Sequence, residues 1–384
     1  MRSITLIFIL IIGFVSCSKK RSFNENETIY NLDIRSALGT EKQLIKLSEF
    51  AEKITYIPLE TNSNCLLKKI SYLHLTKDYI FVSDTRGLYQ FDMKGNFVRQ
   101  ISTLGNGPKE HGKRIRFRAD ELNSEIYIFS YPNKILVNSL ETGEFIRSFR
   151  VKFEVADFEI SADGSLVFFT KEFNHILNQS LSEIFVVDKF GNVHDSISNQ
   201  NRKKNRNNVI GYVHTYKSKQ DIMFMGTYKD KLYKLTASKK KENYAAFHLD
   251  NNVNWEKLII EPQMGNRMDN FLNIVKILET SDFLFVTVHE GIRSPGKVPL
   301  KHQILYQKKS NEVLYTEELV NDVDNGPSFW PSFVVNGKLV GYYLPLQLIK
   351  DKDENANQFS FEESNGFSIK TISKNDNPII AIVE

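Results

Sequence analysis

FDMKGNFVRQI (Phe91–Ile101), NSLETGEFIRSF (Asn138–Phe149) and VVDKFGNVHDSI (Val186–Ile197) share one pattern. Each leads from an apolar, strand-like run through a polar turn into a second strand. The turn glycines, Gly95, Gly143 and Gly191, recur at a constant interval of 48 residues. A fixed period of this size, carried by strand–turn–strand segments, marks a repeat architecture. Outward from the first copy, Lys69–Leu75, Tyr79–Asp84, Gly87–Asp92 and Phe97–Ser102 read as four strands. Their breaks, Lys77-Asp78, Thr85-Arg86 and Lys94-Gly95-Asn96, carry hairpin chemistry. Four short strands per unit is the pattern of a propeller blade.

The second unit repeats the scheme over Ile115–Arg150, and the third runs from Val155 to Ile197 with Asp163-Gly164 as its first turn. In the fourth, about Val209–Leu249, Ser238-Lys239-Lys240-Lys241 stands where the turn glycine belongs. The fifth, about Phe271–Val320, is stretched by a proline-containing loop at Gly291–His302. The sixth turns at Asn336-Gly337. Leu346–Ile372 is polar, with the acidic run Asp351–Glu354, and reads as an excursion rather than a seventh blade. Two apolar strands remain, Ile54–Leu59 and Ile379–Val383. Unpaired strand edges are a liability, so the two chain ends are expected to share the last blade, with Ile54–Leu59 as its outer strand. The fold predicted is all-β, a six-bladed β-propeller of four-stranded antiparallel blades, closed by pairing of N- and C-terminal strands.

Composition agrees: 384 residues, 41% hydrophobic and 12% aromatic, suit a large strand-rich core. The net charge of +4 and basic clusters confined to turns, at Arg202–Arg206 and Lys239–Lys241, imply no nucleic-acid partner. Arg2, the apolar run Ile4–Ile12 and Gly13–Cys17 make a secretory signal too short for a membrane span. Ser16-Cys17 resembles the lipobox of bacterial lipoproteins, although Phe14 is bulkier than the usual leucine. That resemblance implies a signal peptide at residues 1–16 and a lipid on Cys17 that anchors the chain to a membrane. Residues 17–50 then form a tether and lead-in, and residues 51–384 the propeller. Cys65 is left without a second cysteine for a disulfide, and no histidine near it in sequence would activate its thiol.

Ile57-Pro58-Leu59-Glu60-Thr61, the Tyr79–Asp84 strand, Leu104-Gly105-Asn106-Gly107-Pro108 and Asn321–Pro331 (NDVDNGPSFWP) resemble the six-bladed β-propeller lipoproteins of Bacteroidetes, a largely uncharacterised group of TolB/NHL-like propellers. The resemblance covers the chain from about residue 50. It implies the blade count and an exported setting, and it brings no agreed activity. Lys109-Glu110-His111 departs from the Gly-Glu-Tyr of that pattern. Acidic residues directly after the lipidated cysteine resemble the surface-export signal of such lipoproteins. Here Ser18-Lys19-Lys20-Arg21-Ser22 carries none, which points to the periplasmic side of the outer membrane rather than the cell surface.

Strand order assigns loops to faces. Turns between third and fourth strands, with the repeat glycines, lie opposite the connections between blades. Thr103–Lys113 and Asn321–Phe329 are both such connections, each with a Gly-Pro, and should open on one face near the axis. Asn106, Gly107, Pro108, His111, Arg114 and Arg116 on one side, with Asp324, Ser328 and Trp330 on the other, are the candidate ligand-binding residues. An aromatic beside polar groups suits a glycan or a peptide, and an envelope protein is a further candidate partner. The eight histidines are scattered without HExxH or paired spacing, so no metal or cofactor is expected. No G-x-S-x-G elbow is present. The leading reading is a non-catalytic binding propeller at the cell envelope. The alternatives are a polysaccharide lyase or hydrolase, with His111, Arg114 and Arg116 stabilising an anion, and a structural subunit of an outer-membrane complex.

Overall fold

The structure, a computed structural model, describes residues 29–170, 182–198, 213–226, 229–251, 270–291, 298–354 and 372–384. The proposed signal peptide, Cys17 and the start of the tether lie outside them. Six sheets, each containing four antiparallel strands, make six blades. Blade 1 runs from Tyr72–Leu75 to Phe97–Thr103, blade 2 from Ile115–Asp120 to Phe145–Arg150, and blade 3 from Val155–Ile160 to Val193–Ser198. Blade 4 runs from Val213–Ser218 to Lys241–His248 and blade 5 from Leu272–Glu279 to Glu312–Thr316. Blade 6 takes Phe333–Val335, Lys338–Tyr343 and Ile379–Val383, and its outer strand is Ile54–Pro58.

The first strand of each blade is innermost. These strands meet around a closed ring, in which Phe333–Val335 of blade 6 touches both Leu272–Glu279 and Tyr72–Leu75. Among the described residues the buried apolar side chains fall into six clusters, one at each blade-to-blade seam. Alternating strand residues explain this, because each sheet buries both of its faces against its two neighbours. Ile80 and Val82 face the blade 6 seam while Phe81 faces blade 2.

Closure follows the expected route. Ile379–Val383 pairs antiparallel with Ile54–Pro58, and beyond it Glu384 and Lys53 exchange backbone hydrogen bonds of 2.9 and 3.0 Å. Asn377, 1% exposed, reinforces the joint. Its Oδ1 accepts from Leu67 N at 2.7 Å, and its Nδ2 donates to the carbonyls of Glu60 and Cys65 at 2.6 and 2.8 Å. Cys65 is fully buried, and burial raises its thiol pKa.

The fold extends into the stretch expected as lead-in. Tyr30–Asp33 adds a fifth, parallel strand to the outer edge of blade 4. Asp33 then caps a short helix, Ile34–Leu38, whose Arg35 holds the carbonyls of Leu249 and Asn270. Ile45–Lys46 pairs in parallel with Leu319–Val320 beside blade 5. Residues 30–46 thus strap the outer edges of two blades before the chain enters the closing strand. The expected excursion between strands of blade 6 contains a helix, Pro345–Glu354, which buries Leu348 at the blade 5–6 seam.

Gly95 and Gly191 occupy one turn geometry, each amide donating to the carbonyl three residues back, while the Gly143 amide donates to Ser139, four back. Asp92 Oδ1 accepts from the amides of Lys94 and Asn96, and Asp188 Oδ1 accepts from those of Phe190 and Asn192 in the same way. Gly95, Gly143 and Gly191 have φ of +87°, +72° and +97°, which glycine adopts without the Cβ penalty. In blade 4 Lys239 takes this place with φ +63°, closing the same Thr236–Lys240 turn, and its Nζ reaches Ser161 Oγ of blade 3 at 2.7 Å.

Each repeat glycine also nests against the outer strand of the preceding blade. A Cβ on Gly95 would overlap the Pro58 carbonyl oxygen of blade 6. One on Gly143 would meet Arg99 of blade 1, and one on Gly191 the Phe149 ring of blade 2.

Candidate functional site

The six inner strands enclose an axial channel of about 1450 Å³. Its wall mixes polar and apolar groups in comparable measure, because charged residues alternate with apolar ones along the first strands. In Ile115–Asp120 (IRFRAD), Phe117 turns to the blade 1–2 seam while Arg116 and Arg118 line the channel. In Val155–Ile160 (VADFEI), Phe158 turns to the blade 2–3 seam while Asp157 and Glu159 line it.

These groups form a chain of contacts around the axis. Arg116 pairs with Asp157 at 2.7 Å, and Arg118 reaches Glu159 at 2.7 Å and Asp157 at 3.4 Å. Thr215 of blade 4 donates to Glu159 at 3.0 Å and accepts from Arg118 at 3.2 Å. On the other flank, the Arg116 and Arg118 guanidinium groups each lie 5.8 Å from the Tyr72 ring of blade 1. Burial alone would lower the pKa of both arginines, but the carboxylates outweigh it and hold both above the usual value. Four blades are thereby linked through side chains at the channel wall.

A second group joins blades 4 and 5. Glu279 accepts from Tyr216 OH at 2.9 Å and from Tyr244 OH, and it pairs with Lys308 at 2.5 Å. Burial, then the Glu279 charge, pushes both tyrosine pKa values up, so both phenols stay protonated donors. His214 Nε2 lies 2.9 Å from the Ile277 carbonyl oxygen and 3.2 Å from its amide nitrogen. Burial lowers the His214 pKa to about 4, so the ring is neutral near pH 7.

Arg116 is the one residue of the candidate set that lines this channel among the described residues. The two Gly-Pro connections do share a face, but each sits over a seam. Lys134, beside the middle hairpin of blade 2, donates to the carbonyls of Gly107 and Glu110 at 2.9 and 2.8 Å, and Gly107 N donates to Glu110 Oε2. Asn106 and Pro108 are exposed there. His111 is fully buried, with Nδ1 2.7 Å from the Gly112 carbonyl oxygen. Arg114 lies over the Tyr131 ring.

Across the molecule, Asp324 Oδ1 accepts from Asn321 Nδ2 at 2.7 Å, Gly326 N at 3.0 Å and Tyr56 OH at 3.4 Å. Tyr343 OH donates to the Pro327 and Ser328 carbonyls, and Trp330 packs edge-on against Phe285 at 5.5 Å. The geometry at both loops is that of blade-to-blade packing. Asp157, Glu159, Thr215, Lys276 and Glu279 line the channel and lie outside the candidate set, because nothing in the sequence of a single blade pairs them. Their signal is a polar or charged residue inside a strand that the repeat phase makes innermost.

Among the described residues no group of three or more His, Cys, Asp or Glu side chains is placed to hold a metal ion. No curated protein matches the chain. Among solved structures, a Bacteroides fragilis protein described as "Putative exported protein (BF0058)" superposes with a TM-score of 0.70 at 17% identity, covering 92% of this chain and 98% of that one. BamB from Moraxella catarrhalis aligns over 69% of this chain and 67% of its own, with a TM-score of 0.38 at 12% identity. The first of these likenesses shows a shared fold. The family model described as "Domain of unknown function (DUF4934)" matches residues 29–384. Its match begins one residue before the strap strand Tyr30–Asp33 and spans all six blades; the chain belongs to this family.

Proposed function

We propose that this chain is an exported lipoprotein, held by a lipid on Cys17, whose propeller binds a ligand in its axial channel without transforming it. The observation that carries the reading is the channel itself: a cavity of about 1450 Å³, lined by both charged and apolar side chains, whose walls come from all six blades. Such concave sites with a few fixed polar groups are where propellers and other folds hold small ligands. Charge pairing among Arg116, Arg118, Asp157 and Glu159 keeps the wall pre-organised, so little side-chain ordering is lost on binding. A glycan or a peptide end fits the mixture of phenols, ion pairs and aromatic rings. The description of the B. fragilis structure as an exported protein supports export. The lipobox-like Ser16-Cys17 supports the anchor, and the basic segment after it supports the periplasmic side of the outer membrane. His111 is buried at a seam and Arg116 is committed to Asp157, so the Arg–His convergence needed for the lyase or hydrolase reading is not formed by these residues.

Two experiments test this. Cys17→Ala should move the protein from the membrane to the soluble fraction, and continued membrane partition would defeat the anchor. A glycan and peptide array probed with the purified protein should yield a ligand whose binding Arg116→Ala, at the channel wall, weakens. An array without any ligand would defeat the channel reading.

A further inference from the structure

Nearly every half-buried cation of the channel wall has a carboxylate. Arg116 and Arg118 have Asp157 and Glu159, Lys308 has Glu279, and Lys234 has Glu242 at 3.0 Å. Lys276 differs. It stands midway along the first strand of blade 5, half-buried and facing the channel, and among the described residues it makes no ion pair. Its Nζ lies 4.7 Å from the centroid of the Phe333 ring, on the first strand of blade 6. The charges nearest in effect are like ones, Lys301 and Lys69, while His214 beside it is neutral. Burial, then these two lysines, lowers the Lys276 pKa to about 8, so the group is still mainly cationic near pH 7. A cation left partly desolvated without a counter-charge is unfavourable unless something supplies one.

We propose that Lys276 and Phe333 form the anchoring subsite of the channel, which takes a carboxylate group of the bound ligand and seats the ligand's adjoining ring on Phe333. This rests on the channel being a binding site. The chemistry favours a carboxylate over a phosphate. One ammonium provides a compact single charge, whereas phosphates recruit guanidinium forks or cradles of backbone amides, and the two arginines of the wall are already engaged. The arriving carboxylate replaces the missing counter-charge in a site where water screens weakly, so its charge is worth more there than at the surface. Phe333, half-buried and lining the channel, offers apolar surface to the neighbouring part of the ligand. A uronic acid and the C-terminus of a peptide share this chemistry.

A matched pair of probes isolates the charge: hippurate and its uncharged amide, hippuramide, titrated calorimetrically into the full chain in detergent. Wild type should bind hippurate about tenfold or more tightly than the amide, as a charge-assisted contact in a poorly screened site provides. Lys276→Met should abolish the preference and Lys276→Arg should keep most of it, with thermal melts confirming that both variants are folded. Hippurate and hippuramide binding alike to wild type, or a preference that survives in Lys276→Met, would overturn the subsite. Array ligands separate the two ideas. Carboxylated ligands that lose affinity in Lys276→Met support the anchor, and a ligand bound equally by wild type and Lys276→Met overturns it while the channel reading stands.

Discussion

Replacing Gly95 with alanine should be far more damaging than the same change at Gly337, although both residues have similar positive φ values, +87° and +79°. The shared cost is conformational. An L-residue forced into the left-handed region loses roughly 1–2 kcal/mol. At Gly337 nothing lies within 4 Å of the added Cβ, so that cost is the whole effect. At Gly95 the Cβ overlaps the carbonyl oxygen of Pro58, a backbone atom in the closing strand.

That strand cannot retreat easily. It is paired along its length with Ile379–Val383, and Glu60 ties it to the Gly95 turn by donating its amide to Gly95 O at 2.8 Å and accepting from Phe97 N at 2.7 Å. Overpacking against a fixed neighbour adds roughly 1–3 kcal/mol, for a total of roughly 2–5 kcal/mol. Gly143→Ala should fall near Gly337→Ala, because the nearest atom is Arg99 Cδ at 2.9 Å on a flexible side chain. Gly191→Ala should lie between, since the Phe149 ring edge at 2.6 Å must rotate within a packed seam. Equilibrium urea unfolding followed by circular dichroism reads the series as shifts in midpoint at constant slope. If Gly95→Ala and Gly337→Ala agree within about 0.5 kcal/mol, the close approach between blades is energetically irrelevant, and the glycines serve their own turns alone.

Three further outcomes are expected. Asn377→Ala should cost roughly 2–4 kcal/mol in the same assay, because it strands the buried Leu67 amide and two carbonyls at the closure. Arg118→Met should cost about 3–5 kcal/mol by thermal or urea denaturation, since Glu159 and Asp157, 2% and 4% exposed, would lose a shared counter-charge. His214 should make stability fall between about pH 6.5 and pH 4. Its folded pKa is depressed, so the unfolded chain takes up a proton first as pH drops, and the neutral ring's contribution is complete above 6.5 and lost towards 4. The full difference is on the order of 3 kcal/mol. It is read as the gap between wild type and His214→Gln in urea midpoints at pH 7 and pH 4, and a gap that does not change with pH removes His214 from the account.

The blades were legible because their information is local. Hairpin turns, two-residue alternation and a constant interval are all written within about fifty residues, and the two leftover apolar strands had one place to go. The strap was not legible for the opposite reason. Tyr30–Asp33 is four residues long and makes its parallel pairing with a strand more than two hundred positions away. The candidate site shows the same division. Loop faces followed correctly from strand order, yet the distance of each loop from the axis did not, because turn chemistry says nothing about whether a Gly-Pro leans inward or across a seam. Trp330 reads from sequence as an aromatic beside polar groups on a loop near the axis, and in the structure it packs against Phe285 of the neighbouring blade. Arg116 follows the Thr103–Lys113 loop, and its place in an innermost strand is what brings it to the channel.

Phase connects these observations. The 48-residue interval runs through four blades, and in the first three the glycine turns dock on the preceding outer strand. At the fourth, Lys239 replaces glycine and makes the contact with the preceding blade through its side chain instead of by close backbone approach. The wall of the channel also changes around the ring. Blades 2, 3 and 4 are joined by the Arg116–Asp157–Arg118–Glu159–Thr215 chain, while between blades 5 and 6 the wall has Lys276 over a phenyl ring and no counter-charge among the described residues. Buried ion pairs add little net stability compared with apolar residues of equal volume. The paired sector therefore makes sense as a set of charged side chains fixed in place at the channel wall, and the unpaired lysine as the place where the pairing is completed from outside the chain.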